Sequence, residues 1–235
     1  MTKKIILVLV EGQTDQDTLA VIFTRLVENQ DVEFEVIRTD LTAQEEMTAK
    51  YIEVAIGEEI KKYFRRNPYL ERGDILKVVQ LIDTDGAFAP ASMIRQSKNR
   101  MTEYHEDFID AKDKDRLIRR NISKRRIVYQ LYHQDEIAGF PYEVYYFSRN
   151  LEHVFHNESG ELSAEEKEDL ALEAALRYHE NPRDFLRFIS DETFSVQGDY
   201  RETWDYIMDN GNSLRRHTNL LVFFKRLGIG VQADL

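Results

Sequence analysis

Residues 5–10 (IILVLV) are apolar at every position, and residues 75–82 (ILKVVQLI) are nearly so. Uninterrupted apolar runs of that length predict strands covered on both faces, as in a parallel sheet. Between them Gly12 opens a turn, Thr14 offers a helix cap, and Leu19, Ile22, Phe23, Leu26 and Val27 recur at helical spacing. Phe34, Val36 and Ile37 mark a second strand. Thr42 and Glu45 form a capping box for a helix that runs to about Phe64 and stops ahead of Asn67-Pro68. This β-α-β-α-β alternation predicts an α/β fold, a mostly parallel sheet with right-handed crossovers. A polar, helical stretch is expected over 91–136, and residues 142–147 (YEVYYF) make a fourth strand. Helices follow to the end. Ser163 and Glu166 form a second capping box, Asn181-Pro182 starts another helix, and Leu214, Leu220, Leu221, Phe223 and Phe224 line a last one closed by Gly228. The expected organisation is a domain over 1–158 with a helical insertion at 91–136, and a helical region over 159–235 packing on it.

Composition narrows the function classes. The 235 residues are 42% hydrophobic and 32% charged, enough apolar content for a sizeable core. No run of about 18 apolar residues exists, so no membrane span is expected. The opening MTKKIILVLVEG looks like a secretory leader, but Glu11 ends the apolar run and no small-residue cleavage site follows, so it reads better as a strand. The absence of cysteine removes disulfides and thiolate ligands, and makes the cytoplasm the default location. Net charge is −11, from 32 Lys and Arg against 43 Asp and Glu, which argues against sequence-blind nucleic-acid binding over the whole surface. One segment is the exception. Residues 112–126 carry Lys112, Lys114, Arg116, Arg119, Arg120, Lys124, Arg125 and Arg126 against Asp113 and Asp115.

The chemistry-bearing residues gather at strand ends. The first strand runs into Glu11-Gly12-Gln13-Thr14-Asp15, and the third into Asp83-Thr84-Asp85-Gly86. In an open parallel sheet, ligands bind beyond the carboxyl ends of the strands. If the two strands are neighbours, Glu11, Asp83 and Asp85 converge, with Asp15 one turn away. Clustered carboxylates repel one another unless a cation is present, and oxygen donors without thiolates suit Mg²⁺ or Mn²⁺. The plainer alternative is that Asp15 or Asp83 only caps a helix.

The pair of motifs IILVLVEG and VVQLIDTDG resembles the Toprim family, over residues 4 to 90. The variant EGQTD is most similar to the overcoming-lysogenization-defect (OLD) nucleases, which act alone, fused to ATPases, or beside an ATPase in phage defence. In topoisomerases and primases the Asp-x-Asp motif often extends to a third acid, whereas here Gly86 follows at once. The resemblance implies that Glu11, Asp83 and Asp85 are catalytic metal ligands, with Glu11 a candidate general base and Asp15 completing the site. It also makes Glu152 an additional ligand and Ser148 a phosphate or metal-water contact. The chain has no Gly-Lys-Ser or Gly-Lys-Thr phosphate loop and no zinc ribbon.

The resulting expectation is a Mg²⁺- or Mn²⁺-dependent nuclease acting on DNA or RNA in antiphage defence by abortive infection. Arg116, Arg119, Arg120, Lys124, Arg125 and Arg126 would line the nucleic-acid path. The alternative is a catalytically weak Toprim-like regulatory or interaction subunit of an ATPase-containing complex. A homodimer is compatible with the aromatic load. A response-regulator receiver ranks last, because the first strand ends in a single Glu-Gly rather than an acid pair. Tyr129, Tyr132, Tyr142, Tyr145 and Tyr146 are read as core rather than as a base-stacking platform. His153 and His156, three apart without a third ligand, are read as half-buried histidines rather than a zinc site.

Overall fold

The computed structural model describes residues 3–28, 30–39, 41–42, 47–98, 101–160 and 162–230. The chain is α/β. A five-stranded sheet has the order β2-β1-β3-β8-β7, built from β1 (Lys4–Val10), β2 (Val32–Arg38), β3 (Ile75–Asp83), β7 (Glu136–Ile137) and β8 (Phe140–Phe147). A separate three-stranded sheet has the order β4-β6-β5, from β4 (Ile94–Gln96), β5 (Glu103–Tyr104) and β6 (Ile109–Ala111). The helices are α1 (Gln13–Leu26), α2 (Ile52–Arg66), α3 (Lys114–Tyr132), α4 (Leu151–His156), α5 (Ala164–His179), α6 (Pro182–Ile189), α7 (Tyr200–Met208) and α8 (Leu220–Arg226).

The chain divides into two compact units that interleave in sequence, 1–82 with 123–144, and 83–122 with 145–235. The chain passes from one to the other within β3, α3 and β8, and not near residue 158.

In the first unit β1 pairs in parallel with β2 on one side and with β3 on the other, which is why every position from Ile5 to Val10 is apolar and at most 2% exposed. At the sheet edge β2 instead alternates, with Phe34 and Val36 buried and Glu35 exposed. Phe23 of α1 meets Phe34 with ring centroids 5.2 Å apart. Ile52, Ile56, Ile60 and Tyr63 form the buried face of α2 at helical spacing. That helix starts at Ile52, not near Thr42, whose hydroxyl is turned to Glu11 instead. Glu45, the other half of the expected capping box, lies outside the described residues.

The second unit corrects the expected helix over 91–136. Residues 94–96, 103–104 and 109–111 are strands, and helix begins only at Lys114. Ile94, Ile109 and Ala111 pack with Ala89, Leu117 and Leu214 in a small core of their own, and β-branched residues suit that pleated surface. Beyond Phe147 the helices appear as expected, with the Ser163–Glu166 capping box formed and Pro182 at the start of α6. Leu214 falls in a 3-10 turn, so the last helix begins later, at Leu220. The aromatic residues of β8 are core. Tyr146 packs edge-on to Trp204 at 4.9 Å, and its hydroxyl donates to the Thr203 carbonyl at 2.9 Å. Tyr142, Tyr145 and Tyr146 are fully buried, while Tyr129 lies exposed on α3. Among the described residues no helix is long and apolar enough to cross a membrane.

Candidate functional site

Because β1 and β3 are adjacent and parallel, with Leu9 opposite Gln80, both strands run off the same edge of the sheet. Glu11 follows β1 directly, and Asp83 is the last residue of β3. What surrounds each acid differs between the two units.

In the first unit Gly12 is the N-cap of α1, so Thr14 does not cap it. Asp15 reaches back to accept the Gly12 N–H at 2.8 Å, an acid placed on the positive end of the helix. A Cβ on residue 12 would come within 2.9 Å of the Asp15 carboxylate. Glu11 is 8% exposed. One of its oxygens accepts the Thr42 hydroxyl, and the other lies 3.4 Å from the Lys124 ammonium, itself 3% exposed. Burying the two charges is offset in part by their pairing with each other.

In the second unit the Asp83-Thr84-Asp85-Gly86 turn is held mainly through its backbone. Asp85 and Gly86 are consecutive left-handed residues, with φ of 48° and 64°. The Thr84 N–H donates to the Phe147 carbonyl and the Asp85 N–H to the Arg149 carbonyl, each at 2.9 Å. The Thr84 hydroxyl accepts the Arg149 N–H at 2.9 Å. Arg120 donates to the Asp85 carbonyl at 2.7 Å and to the Tyr104 hydroxyl at 3.3 Å, and Asn121 donates to the Gly86 carbonyl at 3.3 Å. The Arg149 guanidinium lies 4.7 Å over the Tyr104 ring and donates to the Ser159 carbonyl at 2.6 Å. Burial opposes the charge on both arginines, while Tyr104 and Asp85 favour it. The balance raises the pKa of Arg120 above its ordinary value and lowers that of Arg149.

The basic segment is split by the geometry of α3. Arg116, Arg119 and Arg126 are exposed, whereas Arg120 and Lys124, four apart and therefore on one face, turn inward to the contacts just described. Arg125 is half-buried. Ser148 is fully buried, its hydroxyl donating to the Arg215 carbonyl and accepting the His217 N–H. Glu152 is also buried and pairs with Lys167 at 2.9 Å. Burial, with the nearby Arg149 charge, pushes the His153 pKa down to about 4, so the ring is neutral near neutral pH. Sequence reasoning did not single out Thr42, Tyr104, Asn121 or Arg149 as residues around the strand-end turns, since nothing in their spacing announces which turn they will meet. It also passed over Glu103, His105 and Asp110, which among the described residues form the one trio of potential ligand atoms within 4.8 Å of one another.

Carboxylate oxygens, the donors at both strand ends, are the ligand type that a hard divalent cation takes. Comparison with protein-family models, with curated proteins and with solved structures finds no match.

Proposed function

We propose that the chain is a Toprim-type nuclease hydrolysing phosphodiester bonds of DNA or RNA with Mg²⁺ or Mn²⁺. The observation that carries this reading is the parallel β1–β3 pairing, which sends Glu11 and Asp83 off the same edge of the sheet. Glu11, Asp83 and Asp85 would hold the cation, and Asp15 would keep the Gly12 turn in place through its 2.8 Å bond. When bound, the cation would neutralise the nonbridging phosphate oxygens and lower the pKa of an attacking water. Glu11 would be the candidate base for that water; Lys124 and Thr42 orient its carboxylate and keep it ionised. The exposed Arg116, Arg119 and Arg126 would attract the polymer's backbone, and their charge reversal should reduce the salt dependence of binding. Ser148 and Glu152 are the weaker members of this proposal, since both are engaged within the second unit.

A second reading is a catalytically weak subunit of an ATPase-containing defence complex. What favours it is Lys124, whose ammonium already compensates Glu11. Both readings belong to a cytoplasmic phage-defence setting.

The deciding experiment titrates Mg²⁺ and Mn²⁺ into wild type, Glu11→Gln and Asp83→Asn, with supercoiled DNA and structured RNA as substrates. Metal-dependent cleavage lost in both variants, with unchanged circular dichroism, supports the nuclease. Binding without cleavage favours the subunit. Absence of saturable metal binding in wild type would sink both.

A further inference from the structure

The hairpin formed by β5 and β6 carries a second donor set, wholly inside the second unit. In the antiparallel pairing of the two strands Glu103 lies directly opposite Asp110. Like charges at facing positions destabilise a strand pair; Arg95 is in register with Asp110 on its other side, but its guanidinium is drawn over Phe108. Two residues along from Glu103, and therefore on the same face, is His105. Its Nε2 is shielded from solvent and has no hydrogen-bond partner. That atom is 3.8 Å from an Asp110 oxygen, too far for a hydrogen bond. The ring is oriented by packing instead. It stacks on Phe108 with centroids 4.1 Å apart and planes at 22°, and the Arg95 guanidinium lies 3.5 Å over the same Phe108 ring.

We propose that Glu103, His105 and Asp110 form a zinc site that clamps this hairpin. Potential ligand atoms of all three lie within 4.8 Å of one another. Ligands on a tetrahedral zinc stand about 3.4 Å apart, so small side-chain rotations close the set around an ion, with water as the fourth ligand. An imidazole beside two carboxylates selects a borderline ion such as Zn²⁺ over Mg²⁺ or Ca²⁺, which take oxygen donors alone. Glu106 and Asp107 at the hairpin tip add negative charge that draws in a cation. The opposite face of the hairpin presents Tyr104, whose hydroxyl accepts a bond from Arg120. A clamp on the outer face therefore stiffens the strand that carries this contact. The site is separate from the strand-end acids and does not depend on the function proposed for them.

The test uses the full chain, stripped with EDTA, and zinc acetate titrated by calorimetry with Mg²⁺ in excess. One equivalent should bind to wild type and to Asp83→Asn alike. His105→Ala should weaken binding at least about 100-fold, since even an outer-shell contact is worth 10–100-fold. Glu103→Gln, nearly isosteric, gives a readout with the opposite sign in the two states. Without metal it should raise Tm by about 1–3 °C, by relieving the facing carboxylates, and it should abolish the rise that zinc produces in wild type. Zinc binding that is absent from wild type, or equally tight in His105→Ala and Glu103→Gln, would overturn the proposal. So would a Glu103→Gln protein that is less stable than wild type in EDTA.

Discussion

The Glu11 pocket of the first unit and the Asp85 turn of the second follow neighbouring strands of one sheet, yet they are built by different means. Glu11 has an ordinary capped helix start behind it, and its carboxylate is held by side chains, Thr42 on one oxygen and Lys124 near the other. Around Asp85 the backbone itself is constrained, through two left-handed residues and bonds to the Arg149 and Phe147 carbonyls. A carboxylate held by a buried counter-charge fails when the charge is removed. A carboxylate carried on a constrained turn fails when the turn can no longer form.

The following changes would break or sharpen that contrast. The largest effect is expected from Lys124→Met, which removes the buried ammonium beside Glu11 and should cost about 3–5 kcal/mol in urea unfolding. Lys124→Met combined with Glu11→Gln should recover most of that loss. If the double variant is no more stable than the single, the pair is not what holds the pocket.

Gly86→Ala attacks the turn. At φ of 64° an alanine is strained, and its Cβ would meet a Leu214 methyl at 2.9 Å and the Tyr104 ring at 3.1 Å. A loss of about 2–4 kcal/mol is expected from the two penalties together. Gly12→Ala is the matched control. There φ is −98°, and the 2.9 Å neighbour is the Asp15 carboxylate, which can rotate away, so the cost should be smaller. An equal cost at both glycines would remove the distinction between the two regions.

The pH dependence comes next. His153 has a folded pKa of about 4, below its unfolded value near 6.5, because burial and the Arg149 charge disfavour the imidazolium. The unfolded chain therefore binds the extra proton first, and stability falls as pH drops from about 6.5 to 4. The contribution over that window is about 2–3 kcal/mol. Urea midpoints at pH 7 and pH 4.5 should converge more in His153→Gln than in wild type. Identical pH slopes would show that His153 is not the group responsible. The smallest change, Tyr104→Phe, removes one 3.3 Å bond from Arg120 and should cost about 0.5–1 kcal/mol.

The elements legible in the sequence were those long enough to show a period. Residues 5–10 and 75–82 span enough positions for a wholly or mostly apolar run to mean a doubly covered strand, and α1, α5 and α6 start close to their caps or proline. The strands β4, β5, β6 and β7 have two or three residues each, too few to display an alternation, so the region before Lys114 read as polar helix. The same limit hid the Glu103, His105 and Asp110 trio, because only the β5–β6 register sets Glu103 opposite Asp110.

What the amino-acid order determined alone was which strands are buried on both faces and that each ends in acids followed by glycine. Hydrophobic burial and backbone conformation are properties of a few adjacent residues, so they survive in a one-dimensional reading. Tertiary structure decided the rest. Eight cations between 112 and 126 look like one stripe, but a helix presents them a hundred degrees apart, and only packing selected Arg120 and Lys124 to turn inward. Likewise Thr42 and Arg149 stand 31 and 64 residues from Glu11 and Asp85, and it was the folding of the intervening chain that brought the Thr42 hydroxyl and the Arg149 backbone to their partners.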